Sequence, residues 1–353
     1  MLKVIKYTIK SLLKTNPILA TVESPYSQLT VVEVNRVRTL YFDGYPHSSM
    51  FMDKPNELVI NYTKYFHLGF ELNTSSKNAL FIGGGGFSGP KNFLECYSNI
   101  MIDAVEIDPV VIDLAKKYFN LNENSRLNIS NDDGRIFLSN KTDNSYDIVI
   151  LDAFSNNYVP FHLITLEFFK IISEKLTSNG VLVLIFVSSI LGDTSKLWRA
   201  IYKTMSEVFP SLYAFRTDYE DPTIVQAIVL VATKARTDFS KDKLKQIVYK
   251  NNLGTMSDDI MFIEHLYDGN KIRTDDVPIV VDKMDNIQNL IDPVTSKPYI
   301  ISDHDNVVRR PHKVKSFGMG KGNMRMIMNE IIWQYNRKHQ DSDSASDSVT
   351  YLR

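Results

Sequence analysis

Four consecutive glycines, Gly83–Gly86, with Gly89 shortly after, follow the apolar stretch Asn78–Ile82. Glycine at a strand end lets the backbone approach a bound group closely and turn into a helix. Twenty-three residues beyond Gly83 lies Glu106, closing a second apolar stretch, Met101–Ile107. An acid at the end of strand two, about 20 residues after a glycine loop, is placed to accept hydrogen bonds from ribose hydroxyls. Asp133, in Asp132-Asp133-Gly134, closes a third stretch, where a carboxylate can hold an adenine amino group. Asp152 closes a fourth, Asp147–Leu151. Glycine turns alone occur in many folds; a glycine loop and three acids on one schedule point to a nucleotide site. The dinucleotide fingerprint G-x-G-x-x-G is met only loosely by Gly83, Gly85 and Gly89, and Pro90 follows at once. Hydride transfer needs no carboxylate at strand four, whereas activating an amine beside a sulfonium does.

These residues need elements to carry them. From Asn78 the pattern alternates: strands over Asn78–Ile82, Met101–Ile107, Arg126–Ser130, Asp147–Leu151, Gly180–Val187 and Ala227–Ala232, with helices over Phe87–Tyr97, Pro109–Tyr118, from Arg135, Phe161–Leu176 and Lys196–Val208. Proline suits the first turn of the second helix. Strands this apolar, alternating with helices, predict a parallel sheet covered on both faces, with ligands outside the carboxyl ends of its strands. The preceding chain reads as β-rich, with Gln28–Val34 and Arg38–Phe42 split by a corner at Asn35-Arg36. Glu57–Leu72 has helical spacing. Beyond residue 233 the pattern weakens to helices over Asp238–Lys250 and Asp258–Tyr267 and an edge segment at Asp276–Lys283. The division expected is a β-rich segment 1–56, a nucleotide-binding catalytic domain 57–235, an extension 236–340 and a disordered acidic tail 341–353.

The 353 residues are 44% hydrophobic and 23% charged, with a formal net charge of −1. That is a normal globular balance, and it gives no general affinity for nucleic acid or anionic membrane. A single cysteine, Cys96, rules out a disulfide framework within the chain and points to a reducing, cytoplasmic setting; it is expected to be a small buried residue. Seven histidines show no metal-ligand spacing, so no metal is expected. His67 falls on an apolar helical face and reads as packed core; His162 falls near the mouth of the expected site. No apolar run reaches the ~18 residues of a membrane span, and Met1–Asn16, basic and weakly amphipathic, reads as an element packed on the domain.

At these residues the chain resembles the spermidine synthases, or polyamine aminopropyltransferases, from about Glu23 to Val231. The likeness is carried by Glu23-Ser-Pro-Tyr-Ser-Gln28, Leu40-Tyr-Phe-Asp-Gly44, Ile82–Gly86, Val105-Glu-Ile-Asp108, Asp133 and Tyr146-Asp-Ile-Val-Ile-Leu-Asp152, in family order and spacing. Asp152-Ala-Phe-Ser155, Val159–Thr165 and Thr274–Asp282 are similar to a divergent branch, often fused to membrane segments. The resemblance implies a Rossmann-like S-adenosylmethionine-dependent methyltransferase fold with a mainly parallel sheet, preceded by a small N-terminal β-rich domain. It implies decarboxylated S-adenosylmethionine as co-substrate, a small-molecule amine acceptor such as putrescine, and a homodimer. Residue by residue, it places the nucleotide against Gly83, Gly84, Gly85, Gly86 and Gln28. It gives Glu106 to the ribose, Asp133 to the adenine and Asp152 to the attacking amine, with Tyr62, His47 and Ser155 beside that amine.

There are departures from the family pattern. Gly86 stands where the family carries an aspartate for the aminopropyl ammonium, Ser155 where it carries a second aspartate, His47 where it has a glutamine, and Ser27 where the first motif has its glutamine. Two lost charge-assisted hydrogen bonds, each worth about 1.5–3 kcal/mol, would weaken binding of a diamine roughly 10²–10⁴-fold. Two alternatives therefore stand beside aminopropyl transfer: methyl transfer from intact S-adenosylmethionine, and nucleotide binding with little catalysis.

Overall fold

The computed structural model describes residues 17–153, 160–217, 222–237, 240, 242–244, 246, 266–267, 272–284 and 289–290. Expectations for Met1–Asn16, for Ser155 and for the acidic tail lie outside them.

Two sheets make up the framework. The first is an antiparallel meander of β1 (Ile18–Glu23), β2 (Gln28–Val34), β3 (Val37–Phe42) and β4 (Tyr45–Phe51), in that order. Its β2–β3 corner turns on Asn35 and Arg36, both with positive φ, as a two-residue hairpin requires. The second is an eight-stranded sheet of β5 (Asn78–Ile82), β6 (Met101–Glu106), β7 (Leu127–Asn131), β8 (Tyr146–Leu151), β9 (Leu176–Ser188), β10 (Ser211–Arg216), β11 (Gln226–Thr233) and β12 (Leu266–Tyr267). They lie in the order β12-β10-β11-β9-β8-β5-β6-β7. Strands β7, β6, β5, β8 and β9 run parallel, while β11, β10 and β12 complete the sheet antiparallel.

The central strands carry apolar runs, Ala79–Ile82 in β5, Ile148–Leu151 in β8 and Val181–Phe186 in β9, because both faces are covered there. In β9, Val181, Val183 and Ile185 enter one core and Leu182, Leu184 and Phe186 the other, the period-two alternation of a sheet buried on both sides. The helices between the strands are α1 (Leu68–Leu72), α2 (Ser88–Cys96), α3 (Pro109–Tyr118), α4 (Gly134–Ser139), α5 (Leu166–Lys175) and α6 (Lys196–Ser206). The helix expected over Glu57–Leu72 is instead a 3-10 turn, Asn61–His67, running into the short α1. His67 is core as expected: its Nδ1 pairs with the Tyr97 hydroxyl at 2.6 Å and its ring stacks on Phe93. Cys96 departs from expectation. It is exposed, because Phe93 and Tyr97 take the core-facing positions at this end of α2. Residues 242–244 are helical, but Leu266–Tyr267, expected in a helix, pairs with β10.

The meander packs on the larger sheet's flank. Leu29, Val31, Leu40 and Met50 bury their side chains against Val111 and Leu114 of α3 and against Phe119. Residues 272–284 form no strand; they run as a strap across α5 and α6. The Leu166 amide donates to the Val280 carbonyl at 2.7 Å, and the Val280 amide donates to Thr204 Oγ1 at 2.9 Å. Asp276 forms a two-pronged ion pair with the buried Arg199.

Candidate active site

The carboxyl ends of β5, β6, β7 and β8 open on one cavity of about 430 Å³. Its other wall comes from the meander and the 3-10 turn before α1, which contribute Ser27, His47, Ser48 and Tyr62.

The glycine loop supplies the floor. Gly83 has φ +101°, and a Cβ there would stand 2.1 Å from the Asp152 carbonyl oxygen. Only glycine lets the β5 and β8 ends approach this closely. The loop is fastened to the next strand by Glu106, whose Oε2 accepts from the Gly84 amide at 2.7 Å and the Gly85 amide at 3.4 Å; its Oε1 accepts from the Asp108 amide at 3.0 Å. Burial pushes the Glu106 carboxyl up from its ordinary value, and those amides partly oppose the shift.

Asp133 stands at the N-cap of α4, where Oδ1 accepts from the amides of Arg135 and Ile136 at 2.9 and 3.0 Å. This is ordinary capping by an Asp. Its other oxygen pairs with His162 Nε2 at 2.7 Å.

Asp152, just past β8, lines the cavity, with the Tyr62 hydroxyl donating to Oδ2 at 3.3 Å. The carboxylate has an opening onto the cavity but is otherwise surrounded by protein. That enclosure raises its pKa to about 7, against the smaller opposing effect of the Tyr62 hydrogen bond. Desolvation penalises the charged form, and no cation among the described residues offsets it.

Two polar atoms on the meander wall, His47 Nε2 and Ser27 Oγ, are buried without a hydrogen-bond partner among the described residues. Both residues line the cavity. His47 stacks on Phe42 with ring centroids 4.3 Å apart, and burial lowers its pKa to about 4, so it is a neutral imidazole at pH 7. Unpaired buried polar atoms are rare in folded proteins; with Asp108 Oδ2, three of them belong to residues that line this cavity.

The residues singled out in the sequence are thus largely gathered: Gly83, Gly84, Gly85, Glu106, Asp133 and Asp152 line the cavity, as do Tyr62 and His47. Gln28 is not among the lining residues. Its side chain turns to Glu23 and its amide donates to Asp43 Oδ1, leaving Ser27 to face inward. Gly86 is also displaced from the lining; a Cβ there would meet Ser48 Oγ at 2.7 Å and Phe119 at 3.0 Å. Ser48 and Ser88 line the cavity without having been singled out, and so do Ser27 and Asp108, which the sequence marked only as motif positions and not as site residues. Isolated serines carry no signal in a sequence, and Asp108 would have been found only by reading the whole β6–α3 turn as lining.

Comparison with known proteins adds to this geometry. A family model described as the spermine/spermidine synthase domain matches residues 61–241. A polyamine aminopropyltransferase of Vibrio vulnificus (strain CMCP6) is 34% identical over 161 residues, 45% of this chain and 52% of that protein. A polyamine aminopropyltransferase of Saccharolobus solfataricus is 29% identical over 208 residues, 57% of this chain and 67% of that one. With the first of these, the chain spans only about half of the relative's length. Among solved structures, a probable spermidine synthase from Corynebacterium glutamicum superposes with a TM-score of 0.64 at 20% identity, covering 77% of this chain and 99% of that one. That likeness speaks for the fold.

Proposed function

The chain belongs to the spermine/spermidine synthase domain family, and we propose that it is a transferase moving the aminopropyl group of decarboxylated S-adenosylmethionine to a small amine such as putrescine. The observation that carries this reading is Asp152: a carboxylate with a pKa near 7 that lines the cavity, bonded by Tyr62 and set against the glycine loop. An ammonium has no lone pair, so a base must take its proton before the nitrogen can attack. A carboxylate raised to about 7 is a stronger base than an ordinary aspartate and is still largely ionised at slightly alkaline pH.

The bound nucleotide would supply the electrophile, a methylene attached to a sulfonium sulfur. The chain's own residues would do the rest. Glu106 would hold the ribose and the Asp133–His162 pair would face the purine. Tyr62 would keep Asp152 turned toward the amine, and His47 Nε2 and Ser27 Oγ would hydrogen-bond the acceptor. Asp152 would take one proton from the ammonium; the C–N bond would then form as the C–S bond breaks, with the thioether methylthioadenosine leaving and the positive charge passing to the new secondary ammonium. Positioning of both reactants supplies much of the acceleration.

A second reading, methyl transfer from intact S-adenosylmethionine, is favoured by Gly86. The place of the family's aspartate is closed by Ser48 and Phe119, so no carboxylate there would repel a methionine carboxylate. One experiment separates the two. The protein is incubated with decarboxylated S-adenosylmethionine plus putrescine, and with intact S-adenosylmethionine plus a panel of amines, and products are read by mass spectrometry. Methylthioadenosine with an aminopropylated amine is expected, and Asp152→Asn should slow its formation roughly 10²–10⁴-fold. S-adenosylhomocysteine in its place would establish methyl transfer. Near-normal turnover by Asp152→Asn would remove that residue from its role.

A further inference from the structure

Asp133 is the carboxylate to which the family resemblance gives the adenine, yet both of its oxygens are engaged. Oδ1 caps α4 through two amides, and Oδ2 receives the His162 ring at 2.7 Å. An ionised carboxylate only accepts, so the ring proton sits on Nε2. In the neutral imidazole this leaves Nδ1 as an acceptor, as when a carboxylate orients a catalytic or metal-binding histidine.

The backbone of His162 is held as firmly as its ring. It lies in the 3-10 turn Phe161–Leu163. Its carbonyl accepts from Arg135 Nη1 at 3.0 Å, and the Arg135 guanidinium is gripped by both oxygens of Asp282 at 2.6 and 2.5 Å. Thr165 Oγ1 adds a third contact to Asp282, at 2.7 Å. His162 is a lining residue of the cavity at its β7 side, together with Asp132 and Asp133.

We propose that His162, with its ring oriented by Asp133, is the residue that reads the purine: Nδ1 accepts a hydrogen bond from the 6-amino group of adenine. This deepens the nucleotide-site reading and rests on it. A 6-oxo purine would present a carbonyl oxygen to the same lone pair, so the site would reject hypoxanthine in favour of adenine. A site built to bond one group discriminates strongly against its replacement.

The test measures the affinities of methylthioadenosine and methylthioinosine by calorimetry for the full-length protein, His162→Ala and His162→Phe. The phenylalanine keeps ring bulk without an acceptor. The wild-type protein should prefer the adenine nucleoside at least roughly 10-fold. Each variant should bind it about 5- to 10-fold more weakly, the loss of one hydrogen bond, and the preference between the two nucleosides should fall to within about 3-fold. The His162 side chain is 39% exposed, so both variants should keep the wild-type melting temperature. Unchanged affinity and preference in both variants would overturn the proposal and return adenine recognition to Asp133, whose Oδ2 His162→Ala sets free. If the wild-type protein bound neither nucleoside, the nucleotide reading would fall, and this proposal with it.

Discussion

Asp152 is held in a setting that favours function over stability. Its pKa is about 7 in the fold and 3.8 when unperturbed. Well below pH 3.8 the group is neutral both folded and unfolded, and its burial carries no charge penalty. Between pH 4 and 7 the folded protein binds the proton more tightly than the unfolded chain, so this group's contribution to stability declines as pH rises. Above 7 the full penalty is present. Asp152→Asn should therefore be more stable than the wild type at pH 8, by on the order of 1–3 kcal/mol after allowing for the opening onto the cavity. Urea denaturation should show that gain shrinking toward zero by pH 4; an equal gain at both pH values would refute the assignment. The same group should set an acidic limb near pH 7 in kcat/KM, which reports the free enzyme. In kcat the limb should lie lower, because a bound cation favours the carboxylate.

At the scale of elements, the turns that end β5 and β8 form one unit, and Gly83 is where they touch. Gly83→Ala would bring a Cβ to 2.1 Å from the Asp152 carbonyl oxygen and would also strain a backbone at φ +101°. A loss of roughly 2–4 kcal/mol in chemical denaturation is expected, together with loss of nucleotide affinity. A wild-type midpoint would show that the two strand ends can separate. This part of the site was legible in the sequence. The apolar runs of β5 and β8 mark their ends directly, and Glu106, Asp133 and Asp152 follow on the same strand-helix schedule, although β6 carries Asp103 and β7 alternates with polar residues. The meander wall was less legible. Choosing between Ser27 and Gln28 requires knowing where β2 starts and which way its first side chains turn, and there the Gln28 amide bonds Asp43 Oδ1, a contact 15 residues away.

At the scale of the molecule, the strap joins residues distant in sequence to the rim of the cavity. Arg199 is buried, 8% exposed, and takes its charge partner from Asp276. Asp276→Ala would leave that guanidinium without its carboxylate and should lower the melting temperature by several degrees. Arg199→Met with Asp276→Ala should recover part of the loss, since removing both charges leaves neither unpaired. No recovery would mean that packing, not charge, holds the strap. None of this was legible in the sequence: Asp276–Lys283 reads as an edge segment by its valines, and nothing local marks Arg199 or Arg135 as its partners.

Arg135 and Asp282 are 147 positions apart, which has a consequence for the order in which the protein is made. Chains leave the ribosome at about 5–20 residues per second, so roughly 7–30 seconds separate the synthesis of α4 from that of its tether. The sheet and the glycine loop can assemble in that interval, but the turn bearing His162 waits for Asp282. A nascent chain would thus carry the floor of its cavity well before the rim that bears His162 is fixed in place.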